Sequence, residues 1–265
     1  MLTCVQAMEK RKMAGLDVPV VYVDDGHGFD PETGVATPGK RTPPMPNGQV
    51  VYENQFNHAV TQLVGGMLAF HGVRVVPVAP EMSDVTLHDR VMRANTDYIG
   101  QGRPPMAVFL SVHYNALNGR FDNKSGGVET FHYPGSKNGQ RLATLVHKRL
   151  LQGTRQVDRG VKTARFYVLK YTIMPAALAE CGFMDSLVEA GRMLDMAFQV
   201  ECAREMAEGI LEYFDIPVDF TVFRAVAAVE KGYREGRLEN KQYWMECAME
   251  YRVASGSNLV YLLEK

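Results

Sequence analysis

Short apolar runs recur along this chain, and stretches with helical periodicity lie between them. Val20-Val21-Tyr22-Val23 is closed by Asp24-Asp25-Gly26-His27-Gly28, and Ala107-Val108-Phe109-Leu110-Ser111-Val112 is closed by His113-Tyr114-Asn115-Ala116. Each run is β-branched or aromatic and ends in polar or Gly residues, so residues 18–25 and 107–112 read as buried strands. Residues 73–78 and 126–133 read as two more, and 166–170 and 175–180 as two further short ones. Between them, Phe56, Val60, Leu63, Val64, Met67 and Leu68 share one face of a helix over 53–71, which Gly72 stops. A second helix is expected over 84–98, with Asp84 as N-cap and Leu87, Val91, Ala94 and Tyr98 at helical spacing. Ser136 caps a third that runs through Leu151, and 187–213 reads as one long helical region. Strands alternating with helices predict an α/β fold: a twisted, mixed, mostly parallel sheet flanked by helices.

Two segments interrupt this rhythm. Residues 29–49 are rich in Gly, Pro and Thr and form a long loop at the mouth of the first strand, and loops of this length are often functional. Asp215-Ile216-Pro217 ends the alternating pattern. Residues 1–215 then form the main domain, and 218–265 a small helical appendage with segments near 221–234, 239–252 and 257–264. Val222, Val226, Val229, Tyr233, Tyr243, Trp244, Ala248 and Tyr251 either fill the core of a three-helix unit, the default, or form a binding surface for a partner or a second copy of the chain. A unit below ~50 residues is marginal alone, so docking on the main domain or on another copy is expected.

Composition narrows the function. The 265 residues are 46% hydrophobic, enough for a full-sized core, and carry a net charge of -1, which argues against a nucleic-acid partner. No apolar stretch reaches the ~18–20 residues of a membrane span. Residues 1–17 lack the apolar core of a secretory signal, and Cys4, Cys181, Cys202 and Cys247 form no CxxC pair. A cytoplasmic chain with reduced thiols is the expectation.

Open α/β sheets bind ligands beyond the carboxyl ends of their strands. His27 and His113 arrive at such ends and supply two nitrogen ligands for a metal. A hydrolytic zinc site needs a third protein ligand, an open position and a nearby base. Glu53, which opens the first long helix, is the candidate third ligand, with Glu32 as its competitor. Glu180 is the candidate base, because a carboxylate ending the apolar run Ala177-Leu178-Ala179 has little reason to be there unless it faces a site. Cys181 beside it points to the opposite face of a strand and reads as buried. His58, His71, His88, His132 and His147 read as structural, His132 being the one whose strand approaches the site. Residues 158–162 are either a substrate-contact loop or an ordinary turn. Lys40 and Arg41 are a solvated basic pair or contacts for substrate carboxylates.

A series of motifs then appears in order: Asp25-Gly26-His27-Gly28-Phe29-Asp30-Pro31, Glu53 with Asn57, Leu87-x-x-Arg90 with Ala94-Asn95, Ser111-Val112-His113-Tyr114-Asn115-Ala116, Gly127-Val128-Glu129-Thr130, Asp158-Arg159-Gly160-Val161-Lys162 and Pro175-Ala176-Ala177-Leu178-Ala179-Glu180-Cys181-Gly182-Phe183. Over roughly residues 18–214 this resembles the zinc-dependent N-acetylmuramoyl-L-alanine amidases of the amidase-3 type. The resemblance implies that His27, Glu53 and His113 bind one zinc ion and that Glu180 is the catalytic glutamate. It implies peptidoglycan as substrate, cut at the amide between muramic acid and L-alanine. Such enzymes occur as bacterial autolysins and phage endolysins, and the lack of a secretory signal favours a phage or prophage endolysin, held in the cytoplasm until release to the wall, with the aromatics of 218–265 as a candidate wall-binding surface. Asp25, Phe29 and Pro80-Glu81 depart from the residues common in the family, which bears on substrate contacts more than on the chemistry. A zinc carboxypeptidase acting on wall peptides and a non-catalytic wall-binding protein are the alternatives.

Overall fold

The computed structural model describes residues 17–122 and 126–239, apart from the side chains of 221–223. Six strands form one sheet: β1 (Val20–Asp24), β2 (Arg74–Pro77), β3 (Ala107–Asn115), β4 (Val128–His132), β5 (Asp158–Thr163) and β6 (Ala176–Phe183). Their order is β2-β1-β3-β6-β4-β5. All neighbours are parallel except β4 against β6. The mostly parallel mixed sheet and its flanking helices are as the sequence predicts.

The central strands are buried on both faces, so their apolar residues run without alternation. Val21, Val23, Val108, Leu110, Val112, Ala177 and Ala179 face the larger core. Helices α1 (Glu53–Phe70), α3 (Lys137–Gly153) and α6 (Met196–Tyr213) pack over it. Val20, Tyr22, Phe109, Ala176 and Leu178 face the smaller core, under α2 (Leu87–Gly100) and the short α4 (Tyr167–Tyr171). Cys181 is fully buried on the larger side, as its place beside Glu180 implies.

Several boundaries differ from expectation. The N-cap of α2 is Thr86, not Asp84: its hydroxyl accepts the Asp89 N–H at 3.1 Å. Residues 166–170 are not a strand. They enter α4, where one helical turn buries the consecutive Val168 and Leu169, which strand alternation would put on opposite faces. The 187–213 region is two helices, α5 (Leu187–Ala190) and α6, because the Asp195 carboxylate accepts the Ala197 N–H and starts a new N-terminus. Asp158–Thr163 is neither a loop nor a turn but edge strand β5, whose Arg159 and Lys162 suit an exposed edge. The Gly/Pro-rich loop is itself folded: Phe29 bridges Ala36, Arg41 bridges Tyr52, and the Phe29 and Tyr52 rings stack at 4.1 Å.

The first appendage helix, α7 (Phe220–Arg234), sets Ala225, Val226 and Val229 into the larger core of its own chain. That buried face is turned inward, which gives no support to self-association through it. The segments near 239–252 and 257–264, with Tyr243, Trp244, Ala248 and Tyr251, lie outside the described residues, apart from residue 239.

Candidate metal centre

Three elements meet at the carboxyl edge of the sheet. His27 lies in the turn leaving β1, His113 lies near the end of β3, and Glu53 is the first residue of α1. His113 and Glu180 are register partners on the adjacent parallel strands β3 and β6, so their side chains emerge side by side.

The turn carrying His27 is held tightly. His27 has φ 65°, a left-handed conformation that costs energy in a non-glycine residue. Its carbonyl accepts from Arg90 Nη2 at 2.6 Å and from Asn54 Nδ2 at 3.1 Å. Asn54 also reaches the Asp25 carbonyl at 2.8 Å, and Asn57 reaches that of Gly26 at 2.9 Å. Both asparagines stand in the opening turns of α1, so the helix that supplies Glu53 also fixes the turn that supplies His27. Gly26 has to be glycine, since a Cβ there would enter the His113 ring.

Ligating atoms of His27, Glu53 and His113 all lie within 4.8 Å of one another. Glu53 Oε1 accepts from the Tyr114 N–H at 3.1 Å and lies 2.9 Å from His113 Nδ1. Glu53 Oε2 and His27 Nε2 are 3.4 Å apart, both buried and without a hydrogen-bond partner. Buried polar atoms left in this state are costly, and a cation between them would satisfy both. Two imidazoles and one carboxylate are also a donor set that zinc favours. The residues present therefore fit a zinc ion. Glu32 is exposed in the folded loop, where its N–H is bound by Asp30, and it does not join the cluster.

The electrostatics suit His27 and Glu53 directly, whereas in His113 burial acts downward but is outweighed by the hydrogen bond and charge of Glu53, which raise it, so a metal would take the place of its Nδ1 proton. Burial, aided by the charges of His113, Lys40 and Arg90, holds His27 down at about 3, so its imidazole is neutral. For Glu53 burial acts upward, but the hydrogen bond and charge of His113, with His27 and Lys40, outweigh it and hold the carboxyl at about 2. Burial pushes Glu180 up to about 8, reinforced by the charge of Glu53 and partly offset by His113. One carboxylate is thus fixed as an anion and its neighbour is tuned to exchange a proton near neutral pH. Glu180 Oε2 is likewise buried without a partner.

A cavity of about 380 Å³ opens over these groups, lined by His27, His113 and Glu180 at its floor. Leu87, Phe166 and Tyr167 form an apolar wall, and Lys40 stands on its rim with Nζ 3.9 Å from Glu53 Oε2. Arg41 turns to solvent. The other histidines are engaged elsewhere: His58 with Asp25, His71 with the Met67 carbonyl, His88 facing Tyr167, His132 with the Tyr133 carbonyl, and His147 with Thr130 and Asp158. Arg159 and Lys162 both hold Glu129, the antiparallel register partner of Glu180. Sequence reasoning missed Asp24 and Asn54. Asp24 carried the same signal as Glu180, a carboxylate closing an apolar run.

A mostly parallel α/β sheet thus carries a His/Glu cluster and a buried glutamate at its carboxyl edge, where open sheets of this kind bind their ligands. The chain belongs to the N-acetylmuramoyl-L-alanine amidase family of the amidase-3 type, whose model matches residues 21–212. It is 30% identical to the uncharacterized protein YqiI of Bacillus subtilis, over 80% of this chain and 90% of YqiI. It is 28% identical to the Bacillus subtilis N-acetylmuramoyl-L-alanine amidase LytC, over 73% of this chain but only 35% of LytC. Among solved structures, the N-acetylmuramoyl-L-alanine amidase of Clostridium difficile 630 superposes with a TM-score of 0.63 at 25% identity, over 75% of this chain and 98% of that one. The catalytic domain of CwlV from Bacillus (Paenibacillus) polymyxa gives 0.61 at 28% identity, over 76% and 100%.

Proposed function

We propose that this chain is a zinc-dependent peptidoglycan hydrolase that cuts the amide between the lactyl group of muramic acid and L-alanine. The observation that carries the proposal is the convergence of His27, Glu53 and His113 with Glu180 beside them on the floor of one cavity. Zinc held there would supply Lewis-acid activation of water and of the scissile carbonyl. His27 and His113 would offer neutral nitrogen ligands, and Glu53 a carboxylate oxygen. Glu180 would take the proton from the attacking water and return it to the departing alanine nitrogen. Its buried setting, with an acidity near neutral pH, suits both halves of that transfer. The apolar wall of Leu87 and Phe166 would seat the glycan side, and no protein nucleophile is needed.

An endolysin's role, with the protein kept in the cytoplasm until the wall is exposed, is the finer part of the proposal. Its support is 30% identity to the endolysin of Bacillus phage SPP1, over 74% of this chain and 66% of that protein. Purified walls incubated with the zinc-loaded protein should yield new N-terminal L-alanine. Loss of terminal D-alanine alone, or new reducing sugars alone, would contradict the assignment.

A further inference from the structure

The side of His113 that faces away from Glu53 meets a buried polar chain that the proposed chemistry does not use. His113 Nε2 lies 3.1 Å from Ser111 Oγ. The Ser111 hydroxyl lies 2.6 Å from Asp24 Oδ2, and Asp24 Oδ1 accepts from Arg90 Nη1 at 2.6 Å. Arg90 Nη2 then reaches the His27 carbonyl. All three members, Asp24, Ser111 and Arg90, are buried to within 1% of full burial. The chain therefore runs from one histidine of the cluster to the other without touching solvent.

Proton counting gives this chain a direction. A guanidinium only donates, so Asp24 is acceptor toward Arg90. Asp24 as a carboxylate also accepts from Ser111, which consumes the single hydroxyl proton. Ser111 Oγ then has only lone pairs to offer His113. The imidazole must donate from Nε2, so when a metal displaces the Nδ1 proton the neutral ring keeps its remaining proton on Nε2 and presents the Nδ1 lone pair to the cluster. Nδ1 is the nitrogen that faces Glu53.

We propose that Asp24 and Ser111 are positioning residues of the metal centre, which lock His113 in the tautomer that ligates through Nδ1, while Arg90 ties the same relay to the backbone of His27. This rests on the zinc reading given above. Partners of this kind commonly change metal affinity when they are removed.

The test uses the zinc-loaded protein with ¹⁵N-labelled histidine, together with zinc affinity measured by chelator competition. His113 should show a proton on Nε2 and none on Nδ1. Ser111→Ala leaves the Asp24–Arg90 ion pair in place, and a denaturant melt checks that the variant is folded before its zinc affinity is read. It should weaken zinc binding by about 10- to 100-fold and remove the slowly exchanging Nε2 proton signal. A proton on Nδ1 of zinc-bound His113, or wild-type zinc affinity in Ser111→Ala, would overturn the inference. A chain that binds no zinc would overturn it together with the proposed function. Zinc bound in the expected tautomer, with no L-alanine released from walls, would support the inference and remove only the amidase proposal.

Discussion

The carboxyl edge of the sheet and the seam between α3 and α6 each bury a glutamate. At the edge, Glu180 stands beside His113 at the floor of the cavity. In the seam, Glu205 is fully buried near the end of α3, with Glu201 and Arg204 around it. Both carboxyls are pushed up to about 8, in each case chiefly by burial and then by a neighbouring negative charge, Glu53 for one and Glu201 for the other. By acidity alone they are indistinguishable. What separates them is company: Glu180 shares an open cavity with two imidazoles, and Glu205 shares a helix interface with an arginine. A perturbed carboxyl marks chemistry only where ligating groups and space for a substrate converge on it.

Neutralising each glutamate should separate the two sites. Glu180→Gln should lose about 10²- to 10⁴-fold in kcat while keeping zinc, the usual range for removing a general acid–base. Glu205→Gln should keep kcat within about twofold on that scale. Equal losses in the two variants, measured on purified walls, would erase the distinction.

The two carboxyls should also differ in their pH dependence. A base works when deprotonated, so kcat/KM should rise with pH along an acid limb set by Glu180. The positive charge of bound zinc favours the carboxylate, which places that limb below pH 8. Glu180→Gln should abolish the limb, and Glu205→Gln should leave it in place.

The smallest effect is on stability. Glu205 is raised above the 4.5 of an unfolded glutamate, so the native chain holds its proton between pH 4.5 and about 8 while the unfolded chain does not. Stability from this group is therefore complete below pH 4.5 and falls as pH rises toward 8. Between pH 6 and 9 the unfolding free energy of Glu205→Gln should gain on wild type by roughly 2 kcal/mol. Denaturant melts at the two pH values check this, and a gap that does not change with pH would contradict it.

Much of the site was legible because its residues break a pattern. His27, His113 and Glu180 each close an apolar run, and Glu53 opens an amphipathic helix; the fold then brings all four together. The relay behind them was less legible, because Asp24, Arg90 and Ser111 lie on three separate elements and only the parallel register of β1 with β3 aligns Asp24 with Ser111. In the fold, the buried central strands were plain from their hydrophobicity. Strand β5 was not, since Asp158-Arg159-Gly160-Val161-Lys162-Thr163 is a polar edge with little apolar alternation to read. The reverse happened at Phe166-Tyr167-Val168-Leu169-Lys170, where β-branched and aromatic character points to a strand but burial of adjacent residues selects a helical turn.

A zinc titration of chelator-stripped protein, with release of N-terminal L-alanine from purified walls followed at each step, tests zinc-dependent hydrolysis at this site. Zinc-dependent hydrolysis at one site predicts release that starts near background, rises in proportion to zinc and levels off at one ion per chain. Full release from the stripped protein, or a plateau that His27→Ala and Glu53→Ala leave unchanged, would contradict it.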